Sequence, residues 1–170
     1  MKRYNLYDTS FGYGSIVFCV EPFRLEEVSL PRANIKSVCQ SMEEYSYILD
    51  ENTPEATTIL ELLTGYFAGE KIDIPWKVMD MSRFTLSQQA VYRAVADIRY
   101  GETASYGQVA RMANLPRAAR FVGTTMAKNP YPVFIPCHRV IKSNGSIGKF
   151  GGGSDLKKNM LSLERSRKGL

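Results

Sequence analysis

The sequence predicts an α+β protein, with an α/β domain over residues 1–80 and a mainly helical domain over residues 81–170 that contains a helix-turn-helix. Three observations predict it. Short β-rich apolar runs mix with helical segments in the first half, whereas the second half reads as a series of amphipathic helices. Charge divides at nearly the same place: residues 1–83 hold 8 Lys+Arg and 13 Asp+Glu, net −5, while residues 84–170 hold 14 and 4, net +10. Two short helical segments around a tight break lie inside the basic half.

In the first half, "SIVFCV" (Ser15–Val20) and "LEEVSL" (Leu25–Leu30) predict strands. "ANIKSVCQSMEEYSYIL" reads as a helix or as a strand with a helix. "TPEATTILELLTGYFAG" predicts a helix with Thr53 as N-cap, Pro54 at the first helical position and Gly69 as the stop. Ile59, Leu62, Leu63 and Phe67 would share one face of it. "IDIPW" reads as extended chain.

In the second half, "SQQAVYRAVADI" spaces Val91, Ala94, Val95 and Ile98 as a helix, with Ser87 as its cap. Ser105 and Gln108 form a capping-box pattern for a helix over residues 106–113. "NLP" breaks the chain, and a second helix over residues 117–128 ends at Asn129-Pro130. "RVIKSNGSIGKF" predicts a hairpin, with Asn144-Gly145 supplying positive φ angles. "GGGSD" reads as a loop without the flanking pattern of a phosphate loop. "LKKNMLSLER" predicts a last helix with Leu156, Met160 and Leu163 inward.

Hydrophobic residues are 44% and charged residues 23%, as in an ordinary globular protein. No apolar run approaches the ~18 residues that a membrane span needs. Asn5, Asp8 and Ser10 interrupt any signal-peptide core, so a cytoplasmic protein is expected, or a nuclear one in a eukaryote. Cys19, Cys39 and Cys137 are three and widely spaced, which argues for reduced thiols. One histidine and no Cys-x-x-Cys pair leave a structural zinc without ligands. A strongly basic half points to a polyanion, most often nucleic acid, although a solvated surface with a local charge bias would look the same.

The second helix of the pair, "RAARFVGTTM", presents small residues: Ala118, Ala119, Gly123 and Thr124. Such a face lets backbone approach a surface but reads little sequence, which suits the minor groove. Arg120 is the one long polar side chain there and could serve as a probe. Taken alone, small residues more simply pack this helix against its neighbour.

The chemistry-bearing stretch is "PVFIPCHRV" (Pro132–Val140), which holds the lone His138 directly after Cys137. A free thiol is only a few per cent ionised at neutral pH, so a nucleophilic cysteine needs a base. In a strand Cys137 and His138 would face apart, so a turn or a bridging water must connect them. The base in turn needs an orienting carboxylate. The basic half offers Asp97, Glu102, Asp155 and Glu164, and Glu164 on the last helix suits best. Without further signal, a buried cysteine beside a structural histidine is the commoner arrangement.

"FTLSQQAVYRAV", "IRYGETASYGQVA", "PRAARFVG", "NPYPVFIPCHRVI" and "GKFGGG" together resemble the O6-alkylguanine-DNA alkyltransferase family over residues 84–164, about half the chain. The resemblance implies a ribonuclease-H-like N-terminal domain, with which the first half is compatible. It also implies suicide DNA repair. The helix-turn-helix binds duplex DNA, an alkylated guanine is flipped out, and its alkyl group moves once to Cys137, with O4-alkylthymine as a further substrate. By resemblance, Cys137 is the nucleophile, His138 its base through a water, and Glu164 the orienting carboxylate. Arg120 is the finger that fills the gap, and Tyr106 turns the phosphate and contacts the guanine. Ala118, Ala119 and Gly123 form the face laid on DNA. Asn129 braces the cysteine loop, the Val140 carbonyl receives the base, and Pro132 walls the pocket. Phe150-Gly151 stands where some relatives have a tyrosine and a serine, leaving only the Gly151 N–H to reach the guanine oxygen. The structural-zinc ligands of some relatives are missing. No cofactor and no metal are implied, and a monomer acting on double-stranded DNA is expected.

Three other functions compete. A Cys-His-Glu hydrolase would turn over repeatedly. A damage sensor would bind the lesion without transfer, yet such relatives lack the cysteine. A helix-turn-helix regulator would prefer one DNA sequence.

Overall fold

The structure is a computed structural model and describes residues 1–167. It divides into two compact units, Met1–Asp80 and a second from Met81 onward.

In the first unit, strands β1 (Arg3–Thr9), β2 (Gly12–Val20) and β3 (Phe23–Val28) form an antiparallel meander. Strand β4 (Ile48–Leu49) adds in parallel beside β1, giving the order β3-β2-β1-β4. Strand alternation separates two faces. Tyr4 and Val17 pack with Met42 of helix α1 (Ile35–Glu44), while Tyr7 stacks on Phe67 of helix α2 (Pro54–Phe67). The helices therefore cover opposite faces of the sheet. Gly14 stands opposite Tyr7 in the ladder, where a Cβ would collide with the phenol ring.

Strand β1 is absent from the sequence reading because its polar residues mask the alternation, and β3 begins two residues before the expected Leu25. The ambiguous 33–49 stretch is a helix followed by the short β4. Thr53 does sit at the N-cap of α2, but its hydroxyl donates to Asp50 rather than capping the helix. Ile59, Leu63 and Phe67 are buried and Leu62 is half-buried.

The second unit holds helices α3 (Leu86–Ala96), α4 (Tyr106–Met112), α5 (Ala119–Ala127) and α6 (Ser154–Ser166). Val91, Ala94, Val95 and Ile98 are buried as the spacing requires. Ser87, the expected cap of α3, lies inside its first turn. Thr85 caps it instead, in a reciprocal box with Gln88. The expected box of Ser105 and Gln108 does open α4. Asn114 and Arg117 take positive φ between α4 and α5, so α5 starts two residues after the expected Arg117.

The expected hairpin does not form. Strand β6 (Val140–Ile141) pairs in parallel with β5 (Ala104–Ser105), and the chain then closes a tight turn in which Lys142 N–H donates to Ser146. Gly145 has the positive φ of that turn and Asn144 does not; the Asn144 side chain accepts from Ser146 N–H instead. Helix α6 is rotated from its expected setting. Met160 is buried, Leu156 and Leu163 are half-buried, and Lys157, Leu161 and Glu164 complete the buried face. Polar partners for the two charged residues explain the rotation.

No helix among the described residues is long and apolar enough to cross a membrane.

Candidate active site

Two local devices position the cysteine. The segment 131–140 is buried except for a half-exposed Arg139, although it is a loop. Buried backbone needs partners, and Asn129 provides them. Its Nδ2 donates to the Ile135 carbonyl at 2.8 Å and its Oδ1 accepts from Tyr131 N–H at 3.0 Å. Within the loop Val133 has a φ of 78°, a conformation that costs a β-branched residue of order 1–3 kcal/mol and tends to occur at functional sites. The second device is the β5–β6 pair. It ties Ala104-Ser105, just before Tyr106, to Val140-Ile141, just after the cysteine turn.

Cys137–Arg139 form one turn of 3₁₀-helix, not a strand, so neighbouring side chains diverge by about a third of a turn rather than pointing to opposite faces. Cys137 is 8% exposed; His138 and Glu164 are fully buried. His138 Nε2 lies 2.6 Å from Glu164 Oε1. Arg139 grips the same carboxylate with Nε and Nη2 at 3.0 Å each, and its Nη1 donates to the Ile98 carbonyl. Gly101 N–H donates to Glu164 Oε2 at 2.9 Å. Burial alone would raise the Glu164 carboxyl, but the hydrogen bonds from His138 and Arg139 and the Arg139 charge overcome it and hold it down at about 2. Glu164 is thus ionised. With Nε2–H donating to it, the lone pair of His138 resides on Nδ1. Burial lowers the His138 pKa against the pull of Glu164, keeping the ring neutral and able to accept a proton.

Burial pushes the Cys137 thiol up. The Asn129 side chain, the Lys157 charge and the backbone N–H groups of Cys137 and His138 pull it back. Lys157 was missed in the sequence. It is 1% exposed, and its Nζ donates to the Val140 carbonyl at 2.6 Å and lies 5.7 Å from the centre of the Phe150 ring. Burial brings its pKa down to about 8. A signal was available: Lys157 and Glu164 are seven residues apart, which sets two charges on one helical face with Met160 and Leu161. Arg139 was also passed over, although it adjoins His138.

Tyr106 is half-buried. Its ring faces Gly123, where a Cβ would lie 3.8 Å away, and its hydroxyl approaches Gly148. Gly123 therefore turns toward Tyr106 rather than straight outward. Ala118 and Ala119 are half-buried, Thr124 is exposed, and Arg120 is exposed on α5. Pro132 and Val140 are buried. The Val140 carbonyl accepts from Lys157, and a carbonyl oxygen has two lone pairs. Gly151 is exposed with nothing within 4 Å of where its Cβ would be, so it is not drawn into the cluster. A cleft of about 350 Å³ lined by Ile141, Ile147, Lys158, Leu161 and Arg165 contains none of these groups.

A neutral imidazole oriented by a carboxylate, one residue from a buried thiol, defines a cysteine-nucleophile protein of mixed α+β fold. Residues 86–166 match the 6-O-methylguanine DNA methyltransferase DNA-binding domain. The chain is 39% identical over 132 residues to the methylated-DNA–protein-cysteine methyltransferase of Mycolicibacterium paratuberculosis, covering 78% of this chain and 79% of that protein. It resembles the crystal structure of Mycobacterium tuberculosis O6-methylguanine methyltransferase with a TM-score of 0.77 and 34% identity, covering 98% of this chain and 94% of that one. A second Mycobacterium tuberculosis structure, of OGT in complex with DNA, gives a TM-score of 0.77 at 32% identity over 97% and 94%. The chain belongs to the methylated-DNA–protein-cysteine methyltransferase family.

Proposed function

We propose that the protein repairs duplex DNA by moving the alkyl group of O6-alkylguanine, and of O4-alkylthymine, onto Cys137, once per molecule. The carrying observation is the buried Cys137 beside the 2.6 Å His138–Glu164 pair. His138 takes the Cys137 proton at Nδ1 through a water. The thiolate attacks the alkyl carbon, the S–C bond forms as the C–O bond breaks, and the electron pair goes to the guanine oxygen. A proton returns to the guanine, so thiol and alkylguanine become thioether and guanine. The thioether has no ready leaving path, which limits the protein to one turnover. Lys157 and Asn129 favour the thiolate, and Arg139 holds Glu164 in place as a positioning residue.

The target carbon lies inside the base stack, so the base must flip out. Helices α4 and α5 act as the helix-turn-helix, laying Ala118, Ala119 and Gly123 near the minor groove, with Arg120 as the finger that fills the gap. Tyr106 turns the phosphate and contacts the guanine, the Val140 carbonyl receives the base through its second lone pair, and Pro132 walls the pocket. Gly151 N–H is the weaker donor to the guanine oxygen. The net +10 of residues 84–170 supports a DNA partner, as does the DNA in the complex with the Mycobacterium tuberculosis relative. The first unit, a sheet covered on both faces by helices, is read as a ribonuclease-H-like domain, and the protein acts as a monomer.

Intact mass after incubation with a duplex carrying O6-methylguanine tests the proposal. One CH₂ gained per protein, on the Cys137 peptide, is expected. Repeated turnover without a mass gain would indicate the hydrolase, and tight lesion binding without transfer the sensor.

A further inference from the structure

We propose that Phe121 is an aromatic wedge that stacks on the DNA strand opposite the flipped base, beside the Arg120 finger. This rests on the repair reading above. Val122, Thr125 and Met126 form the buried face of α5, and Arg120, Phe121, Thr124 and Ala127 are exposed. At 100° per residue, Phe121 lies 100° from Arg120 in one direction and Gly123 lies 60° from it in the other. Gly123 packs against Tyr106. Tyr106 in turn follows β5, which pairs with β6 directly after the Cys137 turn. The Gly123 flank thus faces the side from which a base reaches Cys137, and Phe121 marks the opposite flank.

Phe121 is 37% exposed and is the large exposed hydrophobic of a helix whose surface otherwise consists of small and polar side chains. A single exposed apolar residue is ordinary on a protein surface. A cation accompanies this one: Lys128, seven residues on, is exposed at the C-cap just past the last turn of α5. A ring on the helix and a cation at its end fit a nucleic-acid strand, the ring stacking on a base and the cation meeting the backbone. Apolar side chains that enter the minor groove also unstack base steps, which lowers the work of extruding a nucleotide. Arg120 would then occupy the vacated position while Phe121 holds the orphaned strand.

The test compares wild type, F121A and F121W with two alkyl donors: an O6-methylguanine duplex and free O6-benzylguanine, a base that needs no flipping. Single-turnover transfer is read by intact mass. F121A should slow the duplex reaction about five- to tenfold, the lower end of what one base–aromatic stack contributes, and leave the free-base reaction unchanged. F121W should restore the duplex rate. An unaltered duplex rate in F121A overturns the wedge. So does an equal loss on the free base, or an F121W protein as slow as F121A, since either would mean altered packing of α5. A wild-type protein that takes no alkyl group from either donor overturns the repair reading itself, and the wedge with it.

Discussion

Lys157→Met separates what the buried ammonium does for stability from what it does for chemistry. A lysine that titrates at about 8 instead of 10.5 carries a charging penalty on the order of 3 kcal/mol in the folded protein. Methionine keeps most of the volume and removes the charge. Against this, the Val140 carbonyl loses its 2.6 Å donor, and an unsatisfied buried acceptor costs about 1–3 kcal/mol. The difference leaves the variant about 0–2 kcal/mol more stable than wild type at pH 7. The sign with pH follows from the depressed folded-state value. The penalty is present in full below 8 and is relieved as pH rises from 8 to 10.5, because the unfolded chain then binds more protons. The advantage of the variant should therefore shrink over that window. Urea unfolding at several pH values between 7 and 10.5 measures it. A variant less stable than wild type at neutral pH, as the lost hydrogen bond alone would make it, would refute the reasoning, as would an advantage that grows with pH. The same variant removes a charge that lowers the Cys137 thiol, so alkyl transfer should slow even as stability holds.

Further outcomes follow from the same geometry. His138→Ala should sharply slow alkyl transfer yet leave binding to undamaged duplex intact; equal transfer rates would remove His138 as the base. Glu164→Gln strips the charge that pairs with Arg139 and His138, and breaking such a buried pair should cost about 3–5 kcal/mol in denaturant unfolding. Glu164 also sets an acid limit. Its folded value of about 2 lies below the ordinary 4.5, so its contribution is complete above 4.5 and is lost as pH falls toward 2. Wild type should lose stability over that window more steeply than Glu164→Gln, as acid titration by circular dichroism would show. Gly123→Ala places a methyl in ordinary contact with Tyr106, 3.8 Å away. It should raise stability by about 0.5–1 kcal/mol through helix propensity, and a loss in thermal unfolding would show that the Tyr106 contact is tighter than its geometry.

Short-range physics made several elements legible in the sequence. The Ser105–Gln108 box and the Thr53-Pro54 start of α2 are local hydrogen-bond and backbone devices, readable within four residues. The 3.6-residue spacing of Val91, Ala94 and Val95 is equally local. Strand β1 was not legible, because Arg3 and Asn5 fall on the face of Tyr7 and Asp8 on the face of Tyr4 and Leu6, so neither face reads as apolar until β2 and the helices cover it. The setting of α6 was misjudged by about one residue for a related reason. Apolarity assigned Leu156 and Leu163 inward, while Lys157 and Glu164 won the buried face through partners far along the chain.

By itself the sequence determined the inventory and the local grammar: one cysteine-histidine pair in a proline-bounded loop, a basic second half and two short helices, the first opened by a capping box. Those depend on covalent order, on charge and on hydrogen bonds between near neighbours. The tertiary structure decided which carboxylate meets His138 across 26 residues, that Arg139 grips the same group, and that Lys157 is buried among them. Coulomb interaction and desolvation depend on distance and on exclusion of water, and both are set only when α6 packs against the cysteine turn.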